Sequence, residues 1–521
     1  MKLIFSTIII FLCLSCLSPE HFYPWTTFDS EKNIFYTSIV FYVLFLIFFK
    51  EKIKIEINAI LMLTLISLSL LNWGEYVFEQ NYYIFNLYLL NIFILTVVLV
   101  NLFQSCYREK ILEIVLISLV ICGTFSAIIA IFQWSGIFLS NSWIDTPNGS
   151  GRFSANLGQP NHLATLLLIS LFSLFYFKKK YSLNDVIVIF LTILIIFSLV
   201  LTQSRSVWSF FVLMLFVIFL KWKIIDRILK FYVFFTSLAY MVIGFIIKHI
   251  NSGIEVFNRV NSGFGRLAIW KDFYGISEYL TLWGSGWRNI EKFQWIYPST
   301  SSEYIFSYHN IVLDLVIIFG FIGVLVSVYI LISTILFLIK IKDSENVLIF
   351  LILIVLINHS LLEFPLFYSY FIFIFVFIFL YLYSSLDVAF KSLGINRSYF
   401  FILIFIVTFL TLLYIEEYEG NRSNYRAISR GYCIDVEEKN FLFDEFNEAA
   451  FVNCAENISL ENLSRFEVFL LNRPSPSNIL KLISVYDKLG EHEKRDLLLL
   501  KYNKKYFPKY SLNEVLNKNI F

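Results

Sequence analysis

The stretch YYIFNLYLLNIFILTVVLVNLF, residues 82–103, decides the fold class, because it contains no charged side chain over 22 residues. About 20 apolar residues are enough for a helix to cross the hydrocarbon core of a bilayer. Similar runs recur along the chain, and the thirteen candidate spans lie near 3–17, 34–49, 57–72, 82–103, 111–132, 162–177, 185–201, 207–220, 231–247, 311–339, 347–358, 367–383 and 399–414. The sequence therefore predicts an all-α, polytopic membrane helical bundle.

The composition excludes several classes of protein. Of the 521 residues, 58% are hydrophobic and 15% are charged, and the mean hydropathy is +0.73. A soluble globular domain carries about 25% charged residues, so a cytosolic globular enzyme is excluded. The 41 basic and 39 acidic side chains give a formal charge of +2, which is too balanced for a nucleic-acid binder. We therefore expect the partners of this protein in or at the lipid bilayer.

The density of charge divides the chain into two predicted domains. Residues 415–521 hold 17 acidic and 15 basic side chains, whereas residues 1–414 consist of apolar runs joined mainly by short loops. We predict a transmembrane domain over 1–414, with a long loop at about 248–310, and a helical domain over 415–521. The apolar spacing around Leu489-Gly490 resembles a tetratricopeptide-like hairpin. A binding surface for a protein acceptor and a plain helical cap both fit this second domain.

Lysine and arginine predict the orientation, because these residues are retained in cytoplasmic loops. With the N-terminus inside, 17 of them fall in cytoplasmic segments and only three fall in the short outer loops. Thirteen crossings then place the long loop and the C-terminal domain outside, where Cys433 and Cys454 are a possible disulfide pair. A cleaved signal peptide is the alternative interpretation of the run at 3–17, and it leaves the remaining topology unchanged.

Polar and ionisable side chains gather at the predicted outer ends of the helices. Ionisable groups near hydrocarbon are costly, so they are generally kept for function. The segments are the loop with His21 and Trp25, the helix entrance with Gln159, Asn161 and His162, the turn with Arg205, the long loop with Arg266, the helix entrance with His309, and the short loop with Glu363 and Tyr368. Structural interpretations also fit: an interfacial aromatic loop, a capped helix end or an arginine at the lipid surface.

These residue types suit a pyrophosphate-bearing lipid better than an inorganic ion. Arginine binds phosphate oxygens through two parallel hydrogen bonds and keeps its charge. A neutral histidine takes a proton from an attacking hydroxyl. The loops contain no D-x-D pair, no zinc-ligand pattern and no Walker or G-x-G-x-x-G segment. We therefore expect a metal-independent transfer from an activated donor, without a cofactor.

Five motifs resemble those of the PglL-type bacterial O-linked oligosaccharyltransferases, which belong to the O-antigen ligase and polymerase superfamily. They are P-x-H-x-x-P-W at 19–25, G-x-P-N-H at 158–162, the turn with Arg205, R-x-x-x-W at 266–270 and H-N at 309–310. The first two are more specific to the protein-glycosylating branch, whereas the last two are signals of the whole superfamily. The resemblance covers about residues 1–414.

The resemblance implies transfer of a preassembled oligosaccharide from undecaprenyl pyrophosphate to a serine or threonine of a periplasmic protein, commonly a type IV pilin, at the bacterial inner membrane. It implies that His309 is the catalytic base and that Arg205 and Arg266 bind the donor pyrophosphate. Glycan or acceptor binding is assigned to Gln159, Asn161, His162, His21, Trp25, Glu363 and Tyr368. Phe364 stands where the family usually has tyrosine, so either Tyr368 supplies that hydroxyl or its role is absent here.

Two alternative functions remain open from the sequence. An O-antigen ligase or polymerase would use the same histidine and arginines on a glycolipid acceptor. A secondary transporter or lipid flippase predicts midplane polar groups on broken helices and internal repeats, and the sequence pattern indicates neither.

Overall fold

The computed structural model describes residues 2–19, 25–49, 53–56, 79–137, 143–146, 151–250, 264–297, 304–386, 392–433 and 442–518. Two compact units divide the chain. The first unit comprises Met1–Ile60, Asn91–Ser262 and Tyr329–Thr408, and the second unit comprises Leu61–Leu90, Gly263–Val328 and Phe409–Phe521.

Twenty α-helices lie within the described residues, which confirms the predicted all-α class. The first ten are α1 (Lys2–Leu17), α2 (Phe28–Phe48), α3 (Glu79–Phe103), α4 (Arg108–Ser135), α5 (Pro160–Tyr181), α6 (Asp185–Leu201), α7 (Ser206–Leu220), α8 (Arg227–Ile250), α9 (Phe264–Ser277) and α10 (Ile290–Ile296). The other ten are α11 (Ile311–Phe319), α12 (Phe321–Lys340), α13 (Ser344–Ser360), α14 (Ser369–Ser385), α15 (Arg397–Ser429), α16 (Asp444–Asn453), α17 (Leu463–Asn472), α18 (Pro476–Lys488), α19 (His492–Lys505) and α20 (Leu512–Leu516).

The lengths and composition of these helices agree with a polytopic membrane protein. Within the described ranges, seven helices are long and apolar enough to cross a bilayer: α2, α3, α4, α5, α8, α12 and α15. Five shorter apolar helices, α1, α6, α7, α13 and α14, coincide with further predicted runs. The predicted run at 57–72 lies outside the described residues.

Helix α5 is the central helix of the first unit. Every residue from Asn161 to Phe177 is buried, because α4, α6 and α13 pack around it. The contact with α4 is close at Gly123, where a Cβ atom would overlap the side chain of Ser170. This packing holds the N-terminus of α5, and with it the G-x-P-N-H segment, in one place.

A short antiparallel ladder in the first unit was not predicted. Strand β1 (Ile53–Glu56) pairs with β2 (Ser392–Ile395). Asn101 of α3 binds the backbone of β1, since its Oδ1 accepts from Lys54 N at 3.0 Å and its Nδ2 donates to Lys54 O at 2.9 Å. Strands of four residues are too short for a clear alternating pattern, which is why the sequence did not indicate them.

The predicted span at 311–339 is not one continuous helix, and this corrects the sequence prediction. Gly320, with φ 58°, separates α11 from α12. The turn with Gly284 approaches the break, and Ser285 N donates to Ile317 O at 2.7 Å. A Cβ atom on Gly284 or on Gly320 would overlap the backbone of the facing segment. The glycines therefore allow a backbone-to-backbone contact that larger residues would prevent.

The C-terminal helices of the second unit surround two small hydrophobic cores, one of which also contains Trp295 of α10. Helices α18 and α19 are joined at Leu489-Gly490, where Gly490 has φ 76°, so the predicted helical hairpin is present. A disulfide joins Cys433 to Cys454, with a Cα–Cα distance of 5.1 Å. The predicted domain boundary at residue 414 falls inside α15.

Candidate functional site

The G-x-P-N-H segment builds the N-terminus of α5. Gly158 has φ 66°, and Pro160 occupies the first helical position, where its missing N–H is harmless. Gln133 of α4 holds the preceding chain, because its side chain donates to Ala155 O and accepts from Ala155 N, both at 2.9 Å. Gln159 is half-buried at the entrance to the helix.

Asn161 ties three segments of the first unit together. Its Oδ1 accepts hydrogen bonds from Arg152 Nη2 and from Ser204 Oγ, both at 2.8 Å. Its Nδ2 donates to Glu363 Oε1 at 3.2 Å. The Asn161 side chain is buried, so these partners replace the water that its amide would otherwise bind.

The turn that carries Arg205 is held by the segment before α5. Arg152 Nε donates to Thr202 O at 2.9 Å, and Gln203 Nε2 donates to Gly151 O at 2.7 Å. Gln203 adopts a left-handed conformation with φ 48°. The Arg205 side chain is exposed. The turn therefore presents a guanidinium group from a backbone that is fixed on both sides.

His162 lies in an aromatic and imidazole environment. Its ring is fully buried, with the Tyr368 ring centroid at 4.3 Å and the His359 centroid at 5.5 Å. A hydrogen bond of 3.3 Å joins its Nδ1 to Tyr370 OH. His359 Nδ1 bonds to Thr165 Oγ1 at 2.7 Å. The predicted residues His162 and Tyr368 are thus in contact.

The loop between α13 and α14 carries Glu363 and Tyr368. Glu363 is buried, and its backbone N–H donates to His359 O at 2.9 Å. The Phe364 ring stacks on the half-buried Tyr368 ring, with centroids 6.3 Å apart and an interplanar angle of 19°. Tyr368 therefore packs directly against the position where the resemblance leads us to expect a tyrosine.

The first outer loop is described only from Trp25 onward. Trp25 Nε1 donates to Thr27 Oγ1 at 2.9 Å and to Glu31 Oε1 at 3.1 Å. These bonds anchor the indole at the start of α2. The predicted residue His21 lies outside the described residues.

His309 belongs to the second unit and precedes α11. It has φ 52°, a left-handed conformation that few residues other than glycine adopt. Asp314, which is fully buried, accepts from Tyr308 N at 2.7 Å and from Ser307 Oγ at 2.6 Å. His309 N donates to Ser307 Oγ at 3.0 Å. The His309 side chain is half-buried, so it is partly accessible to a substrate.

Helix α9 supports the same turn. Trp270 Nε1 donates to Tyr308 O at 2.9 Å. Asp272 Oδ2 accepts from Tyr308 OH at 3.4 Å and from Gln294 Nε2 at 3.2 Å. Burial and the Asp272 carboxylate hold the pKa of Tyr308 well above its ordinary value, so its hydroxyl stays protonated as a donor. Arg266 precedes Trp270 by one helical turn and shares its side of α9.

The predicted residues thus fall into two groups. In the first unit, Asn161 contacts Glu363, and His162 contacts Tyr368. Ser204 links the turn that carries Arg205 to Asn161, and Gln159 lies at the same helix entrance. In the second unit, Arg266 lies one helical turn before Trp270, and the Trp270 indole donates to the turn that carries His309. Sequence reasoning did not assign Thr165, Ser204, Asp272 and Ser307, because an isolated polar residue has no periodic signal and is identified only by its contact partner.

The chemistry of the two groups is distinct. An exposed guanidinium on a fixed turn has the chemistry to bind an anion, and a half-buried imidazole on a rigid turn has the chemistry to accept a proton. The buried amide, carboxylate and phenol groups around them hold these groups in position through satisfied hydrogen bonds.

Comparison with known families gives three matches along the chain. The matched families are a protein glycosylation ligase over residues 155–176, the O-antigen ligase over 190–328 and the C-terminal region of a virulence-factor membrane-bound polymerase over 347–515. The first match contains Gln159 and Asn161, and the second contains Arg205, Arg266 and His309.

Two curated relatives from Acinetobacter baylyi (strain ATCC 33305 / BD413 / ADP1) are similar to the chain. A ComP-specific O-oligosaccharyltransferase is 34% identical over 255 residues, which cover 47% of this chain and 46% of the relative, so the match spans about half of that protein. A general O-oligosaccharyltransferase is 23% identical over 544 aligned positions, which cover 98% of this chain and 94% of the relative. No solved structure matches the chain.

Proposed function

We propose that the chain is a glycosyltransferase that modifies proteins, an O-oligosaccharyltransferase. Its match to the O-antigen ligase family over residues 190–328 and its similarity to a general O-oligosaccharyltransferase over 98% of its length support this proposal. It transfers a preassembled oligosaccharide en bloc from an undecaprenyl-pyrophosphate carrier to a serine or threonine of a periplasmic protein such as a type IV pilin. The observation that carries this proposal is the match of residues 155–176 to a protein glycosylation ligase, because it covers the G-x-P-N-H segment.

His309 is the proposed catalytic base. The acceptor hydroxyl oxygen attacks the anomeric carbon of the first sugar, and His309 takes the hydroxyl proton. A carbon–oxygen bond to the acceptor forms, and the carbon–oxygen bond to the pyrophosphate breaks. The lipid pyrophosphate leaves with the electron pair. The half-buried side chain and rigid turn of His309 support this role.

Arg205 and Arg266 are the proposed ligands of the donor pyrophosphate. Charge develops on the leaving group in the transition state, and fixed guanidinium groups stabilise it without a metal ion. The hydrogen bonds that hold the Arg205 turn support this assignment, since they limit the reorganisation that binding requires.

The other predicted residues are assigned to glycan and acceptor binding. The half-buried Gln159 and Tyr368 are suited to direct contact. The buried Asn161, His162 and Glu363 support them from behind through the hydrogen bonds and ring contacts described above. Trp25 and His21 belong to the first outer loop and complete this assignment.

The proposed location is the bacterial inner membrane, with the site and the C-terminal helices facing the periplasm. The distribution of lysine and arginine supports this orientation. The disulfide between Cys433 and Cys454 supports it independently, because disulfides persist in oxidising compartments.

An O-antigen ligase or polymerase acting on a glycolipid is the second candidate function. The matches over 190–328 and 347–515 favour it, because both families are named for lipopolysaccharide or polymer assembly rather than for protein modification. The two candidates differ in the acceptor and share the same base and arginines.

The deciding experiment replaces His309 by alanine in cells that contain a candidate pilin and a lipid-linked oligosaccharide. Intact-protein mass spectrometry reads the pilin mass, and a gel reads the lipopolysaccharide ladder. We expect the glycan mass to be lost while the membrane protein keeps its normal abundance. The control is His492→Ala, an exposed histidine of α19, which should leave glycosylation unchanged.

Two other results would contradict the proposal. If the pilin carries no glycan in either the wild type or His309→Ala, and the lipopolysaccharide ladder changes in the variant, the protein would be assigned to glycolipid transfer. An unchanged glycosylated pilin in His309→Ala would remove His309 from the mechanism.

A further inference from the structure

The backbone of His309 requires an explanation beyond its proposed chemistry. A left-handed conformation is unfavourable for a residue with a side chain, so neighbouring groups must hold it. Such conformations persist only where several contacts define them together. In this protein a buried carboxylate, a hydroxyl and the Trp270 indole are among the groups that bind this turn.

Asp314 binds the two residues that precede His309. One carboxylate oxygen accepts from the Tyr308 backbone N–H, and the other accepts from the Ser307 hydroxyl. The Ser307 oxygen in turn accepts from the His309 backbone N–H. Asp314 therefore reaches His309 through one intermediate atom.

The peptide group between Tyr308 and His309 is fixed at both of its polar atoms. Its carbonyl oxygen accepts from the Trp270 indole, and its N–H donates to Ser307 Oγ. Rotation of this peptide plane would break both bonds. The direction in which the imidazole leaves the backbone is thus set by these two contacts.

Burial of the Asp314 carboxyl disfavours its ionised form, and the position of Asp314 in the helix opposes this effect. It lies in the first turn of α11, where the helix dipole stabilises negative charge. Asn310 caps the same helix, since its Oδ1 accepts from Val312 N at 3.0 Å. Asn310 and Asp314 therefore bind different backbone N–H groups: Asn310 binds that of Val312, and Asp314 binds that of Tyr308.

We propose that Asp314 is a positioning residue for the transfer reaction, and that Ser307 relays its effect to His309. This inference rests on the proposed function, because it requires that His309 is the base. Asp314 does not touch the substrate. It holds the imidazole at the place where the acceptor hydroxyl arrives.

The test is steady-state kinetics of the full-length protein in vesicles, with a lipid-linked oligosaccharide and an acceptor protein as substrates. Asp314→Ala should lower kcat about 100-fold, the size of effect expected when a catalytic group moves by about 1 Å. Ser307→Ala should lower kcat about 10-fold, because it removes the Ser307 bonds to Asp314 and to the His309 N–H but leaves the bond between Asp314 and the Tyr308 N–H. The KM for the acceptor should change little in both.

A variant that already lacks His309 distinguishes a positioning role of Asp314 from a general effect on stability. When His309 is already alanine, Asp314→Ala should cause no further loss of the residual rate, because its effect passes through His309. A purely structural role would lower the residual rate again. The matched control is Asp343→Ala, an exposed aspartate that accepts from Asn346 N at the start of α13 and should leave kcat unchanged.

The outcomes distinguish this inference from the proposed function. Wild-type kcat in Asp314→Ala, together with an inactive His309→Ala, overturns the positioning role alone. Full activity in His309→Ala overturns the role of the base and the inference with it. If Asp314→Ala fails to accumulate, Ser307→Ala decides, and a kcat within twofold of wild type in that variant overturns the inference.

Discussion

Asn161 Nδ2 donates a hydrogen bond to Glu363 Oε1 at 3.2 Å and so joins two predicted site residues that are 202 positions apart in sequence. Both side chains are buried. Removing one partner of a buried hydrogen bond costs about 1–3 kcal/mol, because the other partner loses its bond without regaining water.

We expect Asn161→Ala to lower both the thermal midpoint and the transfer rate, and Glu363→Ala to do the same. In a double-mutant cycle, the two changes together should cost less than their sum by about 1 kcal/mol. Thermal unfolding in detergent measures this coupling. Asn184→Ala, at the exposed N-cap of α6, is the matched control for an asparagine outside this contact. Strictly additive effects of Asn161→Ala and Glu363→Ala on thermal stability would contradict the contact.

Arg152 should not tolerate lysine. Its Nε binds Thr202 O and its Nη2 binds Asn161 Oδ1, whereas a single ammonium group cannot reproduce this forked geometry. We expect Arg152→Lys to raise the KM for the lipid-linked donor, because the Arg205 turn loosens. Arg227→Lys, at the exposed start of α8, serves as the control. An unchanged KM for the donor in Arg152→Lys would show that the Arg205 turn keeps its shape without the two hydrogen bonds of the Arg152 guanidinium.

Gly320→Ala should destabilise the second unit. The new Cβ would overlap the backbone of Leu282 and Gly284, and φ 58° is unfavourable for alanine. We expect a loss of about 1–3 kcal/mol, measured as a lower thermal midpoint, because both overpacking and backbone strain contribute. Gly420→Ala in α15 has open space around it and should be neutral or stabilising. Equal midpoints for the two variants would contradict the close contact.

The accessibility of cysteines tests the proposed orientation. Cys106 is exposed in the turn between α3 and α4, which the lysine and arginine distribution places in the cytoplasm. A membrane-impermeant thiol reagent should therefore label Cys106 only after spheroplasts are permeabilised. Cys433 and Cys454 should react only after reduction, and the reagent should then reach them without permeabilisation. Labelling of Cys106 in intact spheroplasts would reverse the topology.

Lys481 should make the stability of the C-terminal helices depend on pH. Burial lowers its pKa to about 8, although its Nζ donates to Asn453 Oδ1 at 2.7 Å. Between pH 8 and the ordinary lysine value near 10.5, the unfolded chain holds the proton that the folded chain has lost, so stability rises with pH. Lys481→Met should reduce this rise and raise the thermal midpoint at pH 7.

The control for this prediction is Lys488→Met, an exposed lysine at the end of the same helix, which should keep the wild-type pH dependence. Lys505 and Lys501 contribute to the part of the rise that remains, because burial lowers the pKa of both side chains, that of Lys505 to about 8. An identical pH dependence in the wild type and in Lys481→Met would contradict the prediction.

Local sequence patterns predicted the helices well, because the formation of a long apolar helix depends on the residues of that segment itself. The same patterns failed at Gly320, where the run stays apolar through a break in the helix. The break exists because the turn with Gly284 donates backbone hydrogen bonds to α11. The periodicity of residues 311–339 contains no information about a segment that approaches from elsewhere in the chain.

The candidate site likewise contains residues that the sequence identified and residues that only their contacts in the structure identified. The motif residues Asn161 and His309 were identified from the sequence, because polar groups beside apolar runs are conspicuous. Their partners Ser204 and Asp314 were not assigned, although Asp314 stands one turn into a helix. A serine or aspartate in such a position serves equally well as a cap or a surface residue, and only its contacts decide its role.

The amino-acid sequence alone was enough to predict a helical membrane protein and to identify residue types suited to binding a pyrophosphate lipid. Composition and hydropathy suffice for this, because the bilayer acts on each segment separately. The bond between Asn161 and the Arg205 turn, and the bonds between Asp314 and the turn that carries His309, are visible only in the folded protein. These relationships depend on packing between segments or on side-chain geometry, which no local pattern specifies.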